Sequence, residues 1–84
     1  MLSILYFASI REKLGLSAEQ LELPEGVCTV SALVDVLLAQ HGPVWDDVLN
    51  KSSVLVAVNQ TVAQPTSRIK DGDEIAFFPP VTGG

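Results

Sequence analysis

Apolar residues follow a strand-like period of two in several parts of the chain. Residues 2–8 alternate imperfectly, which predicts a first strand with apolar side chains on both of its faces. Residues 54–58 form a continuous aliphatic run, which is typical of a strand in the interior of a sheet. Residues 19–23 and 74–78 are predicted to form two more strands, and residues 61–63 a short returning strand.

Between the strands predicted at residues 19–23 and 54–58, the apolar residues follow the period of an α-helix. Thr29 has the position of an N-cap residue, and Gly42-Pro43 is a typical end for the helix that begins there. Residues 44–49 suggest one or two further helical turns. The apolar face of the main helix repeats at i, i+3, i+4, i+7 and i+8, and consists of Val30, Leu33, Val34, Leu37 and Leu38.

A shorter helix is predicted between the first two strands, over about residues 10–14. Ser9 and Glu12 have the spacing of a capping box, and Gly15 fits the position after the helix end. Turns are predicted at residues 24–26, 59–60 and 71–73. The predicted order of strands and helices contains no βαβ repeat. This order predicts one α+β domain over residues 1–84, a mixed sheet of about five strands with one main helix packed across it.

Composition narrows the possible functions. Ten acidic against five basic residues give a net charge of −5, which argues against nucleic acid as a partner and favours a basic partner surface. A single cysteine precludes an internal disulfide and fits a reducing compartment. We expect a cytoplasmic protein that does not bind membranes, because no basic leader and no apolar stretch of roughly 20 residues is present.

The residues that could carry chemistry have simpler explanations. Cys28 is expected to be a small buried apolar residue without a basic neighbour, and His41 to complement the dipole of the preceding helix. The acidic residues in 71–74 fit a turn better than a cation site. Residues 59–61 are polar but have no predicted acidic or basic partner. We therefore expect no metal site and no enzymatic activity of the chain alone.

The last eight residues, Phe77-Phe78-Pro79-Pro80-Val81-Thr82-Gly83-Gly84, carry the strongest functional signal. Two prolines end a strand and project the residues after them, and two glycines give the segment a minimal cross-section. Residues 79–84 are thus predicted to be a flexible tail that enters another protein's active site. A terminal carboxylate on Gly84 would attack the α-phosphate of ATP to give an acyl-adenylate, which a sulfur or amine nucleophile can displace.

Several segments carry a resemblance to a known family. Residues 5–8, 11–12, 58–61 and 71–74, together with the final octet, resemble the sulfur-carrier small subunits of molybdopterin synthase, which have a β-grasp, ubiquitin-like fold. The resemblance extends over essentially the whole chain. It implies that an E1-like adenylyltransferase uses ATP to activate Gly84, and that sulfur relayed from a cysteine desulfurase makes a thiocarboxylate.

The same resemblance implies where the sulfur goes. The tail would enter the large subunit of the synthase, a heterotetramer with two copies of each subunit, and convert cyclic pyranopterin monophosphate to molybdopterin. No cofactor would be bound by this chain itself. Gly84 would react, with Gly83, Thr82 and Val81 threading the channel, and the expected partner interface consists of Phe7, Val62, Phe78, Pro79 and Pro80.

Two alternatives remain open from the residues alone. A thiamine-type sulfur carrier or a ubiquitin-like protein modifier would share the activation chemistry of Gly84. A non-covalent ubiquitin-like interaction module would share the fold, but its tail would never react.

Overall fold

The computed structural model describes residues 1–50 and 53–80. Two of the three helices are short, and the described helices are not long and apolar enough to cross a membrane. The elements in chain order are β1 (Leu2–Tyr6), α1 (Ala8–Leu14), β2 (Ala18–Leu21), α2 (Val30–His41), α3 (Pro43–Leu49), β3 (Leu55–Val58), β4 (Thr61–Ala63) and β5 (Glu74–Phe78).

All five strands lie in one mixed sheet with the order β2-β1-β5-β3-β4. The first and last strands pair in parallel, with Tyr6 opposite Phe77, and the other pairs are antiparallel. The prediction of an α+β domain with a mixed sheet of about five strands is confirmed. Strands β1 and β2 are each shorter than predicted and end at Tyr6 and Leu21.

The three helices pack on one face of the sheet. Tyr6 and Phe77 from the sheet and Trp45 from α3 belong to this core, and each of the three is almost fully buried. The helical period predicts this packing correctly, since four of the five residues on the predicted face of α2 are buried and the fifth packs against the core. The core consists of Leu2, Ile4, Tyr6, Ile10, Val30, Leu33, Val34, Leu37, Trp45, Val48, Leu49, Val56, Ile69, Ile75 and Phe77.

The ends of α2 are those that the sequence predicts. The hydroxyl oxygen of Thr29 accepts a hydrogen bond from the backbone N–H of Ala32 at 3.2 Å, which satisfies one of the free donors of the first turn. The helix ends at His41, and Gly42 donates its N–H to the carbonyl of Leu38. Pro43 then begins α3, where its missing N–H costs no helical hydrogen bond.

The capping box predicted for α1 is wrong. Ser9 lies inside the helix, and the N-cap residue is Phe7, which provides no side-chain cap. The reason is that β1 runs into α1 through one residue, so the helix starts earlier than the Ser9 and Glu12 spacing indicates. At the other end, Gly15 has a φ of 72° and donates its N–H to the carbonyl of Arg11, as predicted.

The turn between β3 and β4 is confirmed, but the predicted isolation of its side chains is wrong. Asn59 and Gln60 have φ values of 51° and 69°, which is the pattern of a type I′ hairpin turn. The amide nitrogen of Asn59 donates to a carboxylate oxygen of Asp73 at 2.9 Å. Asp73 also accepts the N–H of Lys70 at 2.9 Å, so this acidic residue does serve turn structure.

The burial predicted for Cys28 is also wrong. Its side chain is exposed, and Nη1 of Arg68 lies 3.2 Å from its sulfur. An isolated bridge between Thr29 and Arg68 and a hydrogen bond from Ile69 N–H to the carbonyl of Cys28 bring the two segments together. A basic neighbour therefore comes from forty residues further along the chain, a distance that local sequence does not reveal.

Candidate functional site

The segment predicted to be a tail begins directly after the central strand of the sheet. Strand β5 lies between β1 and β3, and the carbonyl of Phe77 accepts the N–H of Phe7 at 3.1 Å near the end of the strand. Pro79, half-buried, and Pro80, exposed, come next and have no N–H with which to continue the ladder. Val81, Thr82, Gly83 and Gly84 lie outside the described residues, so their predicted roles remain predictions.

Beside this point, the face of the sheet opposite the helices carries a patch of apolar residues, and we call this patch the open face. The register gives one cross-strand row on this face, in which Leu5 is opposite Ala76, Ala76 opposite Ala57, and Ala57 opposite Val62. A second row pairs Leu55 with Phe78. The open face consists of Leu5, Phe7, Leu55, Ala57, Val62, Ala76 and Phe78.

Three of the residues of the expected interface, Phe7, Val62 and Phe78, lie on this face. Phe7 is 44% exposed and Val62 is 69% exposed, whereas Ile75 and Phe77 on the opposite face are buried. Phe78 is half-buried at the end of β5. An exposed apolar surface around the root of the tail is typical of a protein-binding site. The binding role of these residues stays a prediction.

Four further members of the open face are missing from the predicted interface: Leu5, Leu55, Ala57 and Ala76. The alternation of β1 already puts Leu5 on the same face as Phe7. The other three become neighbours through the pairing of β3 with β5. Ala57 is buried, but it is not among the core residues under the helices. The site is therefore a continuous surface rather than two phenylalanines.

Aromatic packing supports the root of the tail from the helical side. The Tyr6 ring stacks on Phe77 with ring centres 5.8 Å apart and meets Trp45 edge-on at 5.3 Å. Trp45 in turn stacks on His41 at 3.6 Å. Since β1 and β5 each contribute one of these rings, the position of Phe77 is fixed by packing as well as by backbone hydrogen bonds.

A polar contact completes this cluster. The Tyr6 hydroxyl donates a hydrogen bond to Glu19 at 2.9 Å, and Nε2 of His41 lies 3.1 Å from the same carboxylate oxygen. Burial, and then the nearby Glu19 carboxylate, raises the pKa of Tyr6 well above its ordinary value. His41 lies in the last turn of α2, as the dipole interpretation requires, but the sequence does not predict its contacts to Glu19 and Trp45.

In the part of the chain that the structure describes, no three histidine, cysteine or acidic side chains are close enough to hold a metal ion. The described residues provide a central strand paired on both sides and an apolar surface around its end. This arrangement can dock on a partner and direct the residues after Pro80 toward it.

Comparison with known proteins gives matches over the whole chain. The ThiS family model matches residues 4–84. The molybdopterin synthase sulfur carrier subunit of Haemophilus influenzae is 50% identical over 84 residues, and that of Escherichia coli is 43% identical, with all of each chain covered.

Among solved structures, that of SAMP1, a small archaeal modifier protein from Haloferax volcanii, superposes with a TM-score of 0.77 at 29% identity. The match covers 99% of this chain and 98% of that one. Fold and sequence thus agree over the same full length. The chain has a β-grasp fold and belongs to the ThiS family.

Proposed function

We propose that this chain is the sulfur-carrier subunit of a molybdopterin synthase. The observation that carries the proposal is the 50% identity to such a subunit over the full length of both chains. The structure supports it with a central strand that ends in two prolines beside an exposed apolar face. A carrier needs both features, since the apolar face would bind the partner and the residues after the two prolines would deliver the end group.

Activation would take place at the carboxylate of Gly84. A carboxylate oxygen attacks the α-phosphate of ATP, and pyrophosphate leaves as the acyl-adenylate forms. A persulfide supplied through a cysteine desulfurase then attacks the acyl carbon and displaces AMP. A second thiol reduces the acyl disulfide that forms, which leaves a thiocarboxylate on the chain and a disulfide on the sulfur donor. The ATP site belongs to an E1-like adenylyltransferase in this scheme, and the carrier contributes only its end group.

Delivery would require docking of the open face on the large synthase subunit. Phe7 and Phe78 flank the root of the tail, so a partner that covers them is adjacent to the segment it must receive. Five residues beyond Pro79 extend at most about 17 Å, which limits how deep the pocket for cyclic pyranopterin monophosphate can lie. The heterotetramer with two copies of each subunit and the cytoplasmic location belong to the same proposal.

The proposal can be tested by intact-mass measurement. The chain is co-expressed with its cognate activating enzyme and a cysteine desulfurase, and its mass is compared with that of the chain expressed alone. We expect an increase equal to one sulfur replacing one oxygen, and sulfur transfer to cyclic pyranopterin monophosphate once the large subunit is added. A fully activated system that leaves the mass unchanged would contradict the proposal.

A second candidate is suggested by the structural match to an archaeal modifier protein. In that case the Gly84 adenylate would be displaced by a lysine amine, and the chain would become attached to other proteins through an isopeptide bond. Digestion and mass spectrometry would detect lysines that carry the final glycines. Such adducts without thiocarboxylate would favour the modifier function over the sulfur carrier.

A further inference from the structure

Phe7 alone connects β1 to α1. Tyr6 before it is 1% exposed and Ile10 after it is 3% exposed, so the chain is held in the core on both sides of Phe7. A strand that continues into a helix after one residue must change direction abruptly. The extended backbone of Phe7 continues the alternation of β1 and puts the Phe7 side chain on the open face, where it is 44% exposed.

Every backbone polar group of Phe7 is used in this turn. Its N–H donates to the carbonyl of Phe77 at 3.1 Å. Its carbonyl accepts the N–H groups of Ile10 at 3.1 Å and Arg11 at 3.3 Å. The backbone of Phe7 is therefore bonded to the central strand on one side and to the first turn of α1 on the other.

This turn depends on an unusual conformation of the next residue, Ala8. The φ angle of Ala8 is 52°, in the left-handed region that residues with a Cβ seldom adopt. Ala8 is exposed, so core packing of its own side chain does not explain the conformation. Strained backbone of this kind persists when the surrounding structure holds it in place, and it is common at functional sites.

We infer that Ala8 is a positioning residue, whose left-handed backbone holds the Phe7 side chain on the open face in the orientation that the large synthase subunit binds. The inference rests on the proposed function for the identity of the partner. An aromatic side chain on a fixed backbone loses little freedom on binding, which improves affinity without an additional contact. Ala8 itself need not touch the partner.

Two substitutions at Ala8 separate backbone conformation from side-chain size. Ala8→Val introduces a β-branched residue that disfavours the left-handed region, whereas Ala8→Asn introduces a side chain of similar size that tolerates it. We expect Ala8→Val to weaken binding to the cognate large subunit about tenfold, and Ala8→Asn to change it less than about twofold, in calorimetric titrations. Circular dichroism checks that both variants are folded.

A second readout monitors Phe7 directly. Hydrogen exchange of the Phe7 amide, measured by NMR on the free chain, should be faster in Ala8→Val than in Ala8→Asn, because the hydrogen bond to Phe77 opens more often. In a Phe7→Ala background, Ala8→Val should have no further effect on affinity. A general structural defect would instead weaken binding equally in both backgrounds.

The inference is overturned if Ala8→Val binds the large subunit as tightly as the unmodified chain, or if its effect persists fully in the Phe7→Ala background. It is also overturned if Phe7 exchange is the same in the Val and Asn variants. These outcomes do not depend on thiocarboxylate formation, since the titrations use the carboxylate form. A chain that binds the large subunit but never acquires sulfur would overturn the proposed function. The inference about Ala8 would still be decided by the affinities of the Ala8 variants for the large subunit.

Discussion

The side-chain amide of Asn59 donates a hydrogen bond to the carboxylate of Asp73 at 2.9 Å, and this contact joins the β3–β4 turn to the start of β5. The backbone N–H of Glu74 donates to the side-chain carbonyl oxygen of Asn59 at 3.0 Å. Asp73 is 5% exposed, so its carboxylate is buried and depends on the donors that it does have, the Asn59 amide and the Lys70 N–H. The position of the central strand is therefore fixed at its first residue as well as at its last.

Loss of this contact should destabilise the domain. We expect Asp73→Ala to lower the free energy of unfolding by about 2–3 kcal/mol, because it leaves the Asn59 amide and the Lys70 N–H without their acceptor. Urea denaturation measures the change. Asp71→Ala is the matched control, since that side chain is 72% exposed and pairs with the N-terminal ammonium at the surface. Equal effects of the two substitutions would contradict the structural role of Asp73.

Alkaline pH should unfold the domain through Tyr6, the single tyrosine of the chain. Its pKa is raised in the folded state by burial and by Glu19, so the folded protein keeps a proton that the unfolded chain releases near pH 10. The contribution of the neutral Tyr6 side chain to the free energy of unfolding is complete below about pH 10. It decreases as the pH rises toward the pKa of Tyr6 in the folded state, by at most about 1.4 kcal/mol per pH unit.

Chemical denaturation at about pH 9 and above tests this dependence, with phenolate absorbance as a direct reading of Tyr6. Tyr6→Phe is the matched variant, because it keeps the ring packing on Trp45 and Phe77 and removes the ionisable group. The variant should lose less stability than the unmodified chain over the same alkaline range. Identical losses would show that other groups dominate alkaline unfolding.

Removal of Gly84, or addition of one residue after it, should abolish sulfur transfer. The described core lies within residues 2–77, so we expect the melting temperature to change only slightly. Gly83→Val or Gly84→Val should also impair adenylation or sulfur transfer, because a branched side chain widens the segment that enters the channel. Molybdopterin formation in a reconstituted assay is the measurement. A deletion variant that still supports it would rule out the thiocarboxylate mechanism.

Substitutions on the open face should weaken partner binding without unfolding the chain. We expect Phe7→Ala and Phe78→Asp each to reduce affinity for the large subunit by roughly 2 kcal/mol or more, the usual scale of an interface hot spot. Calorimetric titration measures affinity, and circular dichroism measures folding. Val44→Ala is a suitable control, because Val44 is 64% exposed on α3, away from the open face. Unchanged affinity in both phenylalanine variants, or loss of folding in both, would contradict the predicted interface.

Local patterns are sufficient to predict much of this fold. The period of β1 puts Phe7 opposite Tyr6, and the helical period of α2 identifies its buried face, because each depends only on geometry within one element. Thr29 is correctly predicted as an N-cap for the same reason. The family resemblance identifies the fold, which these periods alone do not determine.

Most of the errors arise where distant segments meet. Arg68 reaches Cys28 through a bridge between separate parts of the chain, and Asp73 reaches Asn59 across fourteen residues. The sequence predicts the apolar surface around Phe78 only in part. Leu55 lies beside Phe78 because of the register between β3 and β5, which spacing along the chain does not reveal. The capping role predicted for Ser9 fails because a short-range pattern does not take into account how abruptly β1 turns into α1.

The place of β5 between two strands also has a mechanical consequence. Force applied to Pro80 along the axis of β5 acts in shear on the hydrogen bonds to β1 and to β3, because those bonds run across the strands. Both sets of bonds bear the force at the same time. Sliding β5 out would require both ladders to break at once, whereas an edge strand could be peeled away bond by bond. We therefore expect the domain to stay folded when force is applied to the residues after Pro80, as withdrawal of the tail from a partner's channel would require under the proposed function.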